Sequence, residues 1–204
     1  MGLLDLVLPV RCAACGVLGA SPCPTCAAAL APAAPAPPPP GLDTLAALLR
    51  YEGVARQVVT EAKYGHARAS LRPLAAAAVG LVEALTPAPV AVTWAPTTAP
   101  RARARGYDQA RTLATVVARG LGLPVRRCLD RAPGPHQTGR SAAERRVGPD
   151  FTPRGRAPAS LLLVDDVSTT GATLSAAAGV LRSAGARTVH GLVLARTPAP
   201  RARR

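Results

Sequence analysis

Two adjacent carboxylates, Asp165 and Asp166, stand between an apolar run, Leu161 to Val164, and a hydroxyl-rich loop, Ser168-Thr169-Thr170-Gly171-Ala172-Thr173. An apolar run of this length that stops at acids reads as a strand buried on both faces and reaching the end of its sheet. Behind the loop, Leu174, Val180 and Leu181 give a helical pattern that closes at Gly185. Backbone N–H groups at a helix N-terminus, with the positive end of its dipole behind them, bind a phosphate, and Gly171 permits an approach that a Cβ would block. Thr169, Thr170 and Thr173 add hydroxyl donors. Paired carboxylates at the C-terminal end of a parallel strand accept hydrogen bonds from a vicinal diol. Asp165, Asp166, Val167 and Ser168 to Thr173 therefore read as a site for a ribose 5-phosphate. A lone Asp-Asp is more often a solvated turn after a core strand, but the whole strand, loop and helix pattern is far more specific.

Two further groups carry chemistry. Arg101, Arg103 and Arg105 follow the apolar strand Val90 to Trp94 and lead into Gly106-Tyr107-Asp108-Gln109, at the head of a helix with Leu113, Val116 and Val117. An arginine- and glycine-rich loop after a strand suits a pyrophosphate leaving group; the plainer reading is a solvated basic turn in an arginine-biased chain. Near the N-terminus, Cys12 and Cys15, then Cys23 and Cys26, form two CxxC knuckles with seven residues between them. Four thiolates so spaced can close a tetrahedral Zn²⁺ site. Disulfides do not suit a cytoplasmic chain, and a redox CxxC normally comes singly. With all four ligands from protein, the role is structural or partner-binding, and the metal supplies most of the folding energy of so small a segment. Cys128 is left over and reads as core.

The elements that position these groups fall into an α/β order. The chain of 204 residues suffices for one ordinary domain and a small appendage. Residues 1–31 form the cysteine module, and 32–41, which holds most of the run APAAPAPPPP from Ala31 to Pro40, a proline-rich linker expected to be extended polyproline II that does not pack. The main domain spans 42–197 and a basic tail 198–204. In the main domain Leu45 to Tyr51 reads as a strand or short helix, Val54 to Ala62 as a helix, and Leu71 to Leu85 as an alanine-rich packing helix. Val125 to Leu129 reads as a strand, and Thr188 to Leu194 as the strand returning beside Leu161 to Val164 through a right-handed crossover. Pro133 to Val147 is a long polar segment of the kind that is mobile or functional in a compact domain; its His136 is a weak general-base reading. The net charge of +14 favours polyanions. Yet every basic residue except Lys63 is arginine, Ile and Asn are absent, and five aromatic residues leave little to stack on bases. Direct nucleic-acid binding ranks last. No apolar run is long enough for a membrane span, and the short start containing Asp5 does not read as a signal peptide, so the expected location is cytoplasmic.

The stretch Ser160 to Thr173, SLLLVDDVSTTGAT, closely resembles the signature of the type I phosphoribosyltransferases. Other stretches resemble the ComF family, competence-associated phosphoribosyltransferase-like proteins with a cysteine-rich N-terminus. Lys63-Tyr64-Gly65 falls on that family's lysine-tyrosine-glycine stretch beside its active site. Arg105, Gly106, Tyr107 and Gln109 fall on its arginine-glycine-aromatic-Asn-Gln motif, with Asp108 in place of Asn, and Gln137, Arg145 and Arg146 on its loop segment. The resemblance implies a type I phosphoribosyltransferase-like fold with a mainly parallel sheet. It also implies 5-phosphoribosyl 1-pyrophosphate (PRPP) as donor, Mg²⁺ on the pyrophosphate, and displacement of that pyrophosphate through an oxocarbenium-like transition state. Asp165, Asp166, Arg105 and Lys63 are then catalytic. Arg101, Arg105, Gly106, Gln137 and Arg145 belong to the pyrophosphate site and to a loop that closes over the substrate. The alternative is a non-catalytic accessory protein working with DNA-uptake proteins in natural competence.

Overall fold

A computed structural model describes residues 10–64, 68–131 and 149–198. Among these, strands β1 (Thr44–Arg50), β2 (Ala91–Trp94), β5 (Ser160–Ser168) and β6 (Thr188–Arg196) form one sheet in the order β1-β6-β5-β2. Every pairing in it is parallel. Strands β3 (Leu129–Arg131) and β4 (Phe151–Pro153) make a separate antiparallel pair. The helices are α1 (Pro24–Ala28), α2 (Gly53–Tyr64), α3 (Arg68–Ala77), α4 (Ala99–Arg105), α5 (Gln109–Gly120) and α6 (Ala172–Ser183), with a 3₁₀ turn at Val79–Leu81.

The run Leu161 to Val164 shows why β5 is central. Alternate side chains of a strand point to opposite faces. Leu162 and Val164 enter one core with Val58 and Val59 of α2, Leu71 of α3 and Leu113 of α5. Leu161 and Leu163 enter the other with Leu174 and Leu181 of α6 and with Phe151. All four are at most 1% exposed, and burying each such side chain stabilises the fold by about 1.5–3 kcal/mol. Strand β6 pairs with β5 from Ser160↔Thr188 to Ser168↔Arg196, so α6 makes the expected crossover between neighbouring parallel strands. In β6 the fully buried His190 bridges layers: its Nε2 donates to the Pro87 carbonyl at 2.9 Å, leaving Nδ1 to accept from Thr44 Oγ1, also at 2.9 Å.

Several elements depart from the sequence expectation. The strand β5 does not stop at the acids but continues through them to Ser168, because β6 still offers partners at Val193 and Ala195. Leu71 to Leu85 is not one helix: α3 ends at Ala77 and the chain tightens into the 3₁₀ turn, where Gly80 weakens helix propensity. Val125 makes only a single parallel bridge, to Val92, since the exposed Arg126 and Arg127 that follow give no apolar face. The strand there begins at Leu129. Arg101 to Arg105 is helical, not a loop; Pro100 in its first turn and the intervening alanines favour α4, and Gly106, at φ +72°, closes it.

The proline-rich segment packs. Ala33 N–H donates to the Leu48 carbonyl (3.1 Å), Arg50 N–H to the Ala31 carbonyl (2.8 Å), and Arg196 donates to the carbonyls of Ala36 and Pro37. The outer edge of β1 needs backbone partners, and an extended chain supplies them wherever alanine interrupts proline. The cysteine module is also seated on the main domain. Ser21 Oγ accepts from Ala13 N–H (2.8 Å) and lies 2.6 Å from Ser70 Oγ of α3 in a buried contact, while Val54 packs against the cysteines.

Candidate active site and cysteine centre

The C-terminal ends of β5 and β2 and the N-terminal end of α6 surround a cavity of about 560 Å³. From β5, the loop after it and the first turn of α6 come Asp165, Asp166, Val167, Thr169, Thr170, Ala172 and Thr173. Asp165 Oδ1 accepts from the Asp166 N–H at 2.8 Å, and Thr170 Oγ1 from the Ala172 N–H at 3.3 Å. These local bonds shape the turn from strand into helix. Ser168 is buried and Gly171 caps α6; like Gly106, neither lines the cavity. The need for glycine at 171 differs from the one its sequence context suggested. Its φ is +80°, and a Cβ there would lie 2.6 Å from Cγ of Pro39, so the chain's own proline, not a ligand, takes the space.

The lining also carries cations. Arg101 and Arg105 of α4 line the cavity, and Arg131 of β3 joins them. The Arg131 guanidinium lies 5.7 Å from the centroid of the Phe151 ring. Burial first, and the positive charge of Arg101 second, push its pKa below the usual arginine value, while Asp165 and Asp108 act in the opposite direction. Arg105 Nη1 donates to Gln109 Oε1 at 3.3 Å. That bond fixes the amide orientation and leaves Gln109 Nε2, buried, without an acceptor among the described residues.

Asp108 holds the turn between α4 and α5. Its Oδ2 accepts from Trp94 Nε1 and from Thr97 N–H, each at 3.2 Å, and its Oδ1 from Arg111 N–H at 3.3 Å, as the N-cap of α5. Tyr107 donates its hydroxyl to the Ala62 carbonyl of α2. Lys63 lies in the last turn of α2, its side chain outside the described part. Gln137, Arg145, Arg146 and His136 lie outside the described residues altogether. Sequence reasoning missed Tyr51, Thr97 and Arg131 as lining residues. Arg131 carries no local signal beyond standing next to the polar segment it precedes.

The cysteine cluster has the dimensions of a metal centre. One sulfur from each of Cys12, Cys15, Cys23 and Cys26 lies within 4.8 Å of the others. Cys15 Sγ and Cys23 Sγ are 3.7 Å apart, close to the ~3.8 Å edge of a tetrahedron with Zn–S bonds of about 2.3 Å. Cys15 is exposed and the other three are buried. The Cys23 N–H donates to Cys12 Sγ, and this bond, the largest of several, brings the Cys12 pKa down to about 6 against the opposing effect of burial. The neighbouring Cys15 and Cys23 sulfurs, then burial, push that of Cys26 up to about 12. The residues present therefore fit Zn²⁺, with one ligand already a thiolate at neutral pH.

No protein-family model and no curated protein matches this chain. Among solved structures it is similar to a purine phosphoribosyltransferase from Pyrococcus horikoshii, with 14% identity and a TM-score of 0.37, over 66% of this chain and 93% of that one. It is also similar to the adenine phosphoribosyltransferase from Leishmania donovani, with 16% identity and a TM-score of 0.30, over 66% and 72%. The α/β fold rests on this chain's own strand order and pairing. No helix among the described residues is long and apolar enough to cross a membrane.

Proposed function

We propose that the chain is a ComF-like, cytoplasmic phosphoribosyltransferase that binds PRPP with Mg²⁺ and transfers the phosphoribosyl group to an acceptor nucleophile. The observation that carries this reading is the composition of the cavity lining: Asp165 and Asp166 from the end of β5, Thr169, Thr170 and Thr173 from the loop and the head of α6, and Arg101, Arg105 and Arg131 from α4 and β3. A ribose carrying phosphate at one end and pyrophosphate at the other matches that set of groups.

The acid pair would accept the ribose hydroxyls, and Thr169 to Thr173, with the N–H groups that open α6, would take the 5-phosphate. Arg101, Arg105 and Arg131, joined by Lys63 and by Gln137 and Arg145, would hold the departing pyrophosphate. In the reaction the C1–O bond to pyrophosphate breaks with its electron pair on the leaving oxygen, and the acceptor's lone pair forms the new bond at C1. Arginines placed before reaction at the leaving oxygens stabilise charge as it develops, so little proton transfer is asked of the protein. Mg²⁺, when bound, would neutralise pyrophosphate charge, and the carboxylates lining the cavity are the hard oxygen donors it prefers. Zn²⁺ at the four cysteines would hold the 1–31 module against α2 and α3.

Calorimetric titration of the zinc-loaded protein with PRPP and Mg²⁺, beside an Asp165→Asn/Asp166→Asn variant, tests this. Two charge-assisted bonds lost at about 1.5 kcal/mol each predict at least a hundredfold weaker binding. Equal affinity in both proteins would overturn the reading. Binding without pyrophosphate release for any acceptor base would move it to the accessory role in natural competence.

A further inference from the structure

A second cavity, of about 600 Å³, shares no residue with the first and is lined by Val125, Arg126, Arg127, Cys128, Arg154, Arg156, Ala157 and Pro158. Its two banks are one rigid unit. Arg154 N–H donates to the Cys128 carbonyl at 2.8 Å, immediately beside the β3–β4 pairing of Leu129 with Pro153. The left-handed turn at Gly155, φ +73°, separates Arg154 from Arg156 on one bank, while Arg126 and Arg127 stand on the other. Among the described residues no carboxylate lines the groove. Arg127 and Arg154 share one acid, Asp130, at 2.5 and 3.3 Å. Among the described residues, four guanidinium groups against one carboxylate leave an excess of three positive charges in one concavity. The shared acid also holds two of the four arginines in place before any ligand arrives, which lowers the entropic cost of binding. The floor is neutral: Cys128 and Ala157 are buried, and burial pushes the Cys128 thiol up in pKa, so no thiolate repels an anion. Among the lining residues no aromatic ring offers a stacking platform, and Val125 at the rim is the only large apolar side chain.

We propose that this arginine groove binds a chain of linked phosphates, gripped through phosphate oxygens and not through any base. Guanidinium forks are matched to phosphate oxygens, and a groove with several forks but no platform reads backbone charge alone. Two sources share that chemistry, the phosphodiester strand of a nucleic acid and inorganic polyphosphate. The site is independent of the acid pair, so it stands or falls separately from the proposed transfer reaction.

The test is fluorescence anisotropy of a labelled oligothymidylate with the full-length zinc-loaded protein, run across a salt series from about 50 to 200 mM, with unlabelled inorganic polyphosphate as competitor. An Arg126→Ala/Arg156→Ala variant removes the two groove arginines that Asp130 does not hold. We expect it to bind about tenfold more weakly and to lose roughly 1.4 from the slope of log K against log salt, about 0.7 for each single-strand phosphate contact. An Asp165→Asn/Asp166→Asn variant and a chain ending at residue 198, without the arginine-rich tail, should bind as the parent does. Displacement by polyphosphate at equal phosphate concentration assigns the groove to phosphate chains in general, and displacement only by nucleic acid assigns it to a phosphodiester strand. Unchanged affinity and slope in the groove variant, or loss of binding on removing the tail, would overturn the proposal.

Discussion

Gly171 sits where two constraints meet, so replacing it by alanine separates them. Its φ of +80° costs a residue with a Cβ about 1–2 kcal/mol. The added methyl carbon would also lie 2.6 Å from Cγ and 2.9 Å from Cβ of Pro39, well inside the ~3.5–4.0 Å at which carbon atoms pack. Pro39 is buried; a change of ring pucker would move its Cγ but leave its Cβ, held by the backbone, about as close as before, so the backbone of the loop or of the proline segment must shift. Overpacking of that kind costs roughly 1–3 kcal/mol. The sum, about 2–5 kcal/mol, is smaller than the ~5–15 kcal/mol stability of a typical domain, so Gly171→Ala should still fold. Its urea midpoint should fall at unchanged slope. A cycle with Pro39→Gly isolates the clash. The greater freedom of the unfolded chain that Pro39→Gly introduces occurs with and without the alanine and cancels. In the Pro39→Gly background Gly171→Ala should cost about 1–3 kcal/mol less than in the parent, leaving the backbone penalty of ~1–2 kcal/mol. Equal cost in both backgrounds would refute the idea that Pro39 braces the loop. A total cost under about 0.5 kcal/mol, the range of ordinary surface changes, would refute the left-handed conformation itself.

Three other outcomes follow from the geometry. Asp108→Asn offers one acceptor oxygen where donors approach two, so it should cost about 1–3 kcal/mol and change the emission of Trp94, the sole tryptophan; an unaltered midpoint and spectrum would show that the carboxylate does not organise the turn. Tyr107→Phe removes the donor to the Ala62 carbonyl and should cost about 1 kcal/mol in the same unfolding measurement, and no loss would mean that the turn is not tied to α2. Zinc loading at pH 7 should release fewer than four protons, read by calorimetry in two buffers of different ionisation enthalpy, because Cys12, at about 6, is already a thiolate while Cys26, at about 12, is still a thiol. The sign for the metal-free protein follows from the same two groups. Cys12 is lowered, so its contribution to stability is complete above pH 9.0 and lost as pH falls through about 6. Cys26 is raised, so its contribution is present below pH 9.0 and lost as pH rises through about 12. A metal-free midpoint that does not fall between pH 8 and pH 5 would contradict the Cys12 assignment.

The readable parts of the site were those in which neighbours in sequence are neighbours in space. Asp165 to Thr173 occupy one strand end, one turn and the first turn of one helix, so residue type and spacing carried the geometry almost unaided. The same holds for the cysteines, where two short turns bring four sulfurs together and only Ser21 and Ser70, forty-nine positions apart, were invisible. The arginines behaved otherwise. The pattern of Ala99 to Arg105, which has no apolar stripe, predicts a loop for Arg101 and Arg105. A short helix of alanine and arginine with proline in its first turn and glycine at its end needs none, being held by propensity and capping. Composition predicts a proline segment that does not pack, and the structure packs it, because composition reports what a chain does alone and not whether an edge strand nearby has unpaired carbonyl and N–H groups to offer it.

Arg131 shows most sharply where sequence reasoning ends. In a chain whose basic residues are nearly all arginine, one more arginine after a short apolar pair is no signal. What singles it out is that β3 pairs with β4 instead of joining the main sheet, which turns Arg131 toward Asp165 and Arg101 and places its guanidinium by the Phe151 ring. Asp130, one residue earlier, belongs by strand alternation to the other face and there holds Arg127 and Arg154. Two consecutive residues thus serve two separate cationic cavities, one facing the acid loop and one facing away. A one-residue slip in the β3–β4 register would exchange them, putting a carboxylate among the arginines of the first cavity and a fifth guanidinium in the second. Both cavities therefore depend on Leu129, which is 1% exposed and anchored in the core with Phe151. Leu129→Ala should cost about 2–5 kcal/mol and, unlike a change at either cavity, weaken PRPP binding and phosphate-chain binding together. Loss of only one of the two would show that the hairpin does not set the register of both.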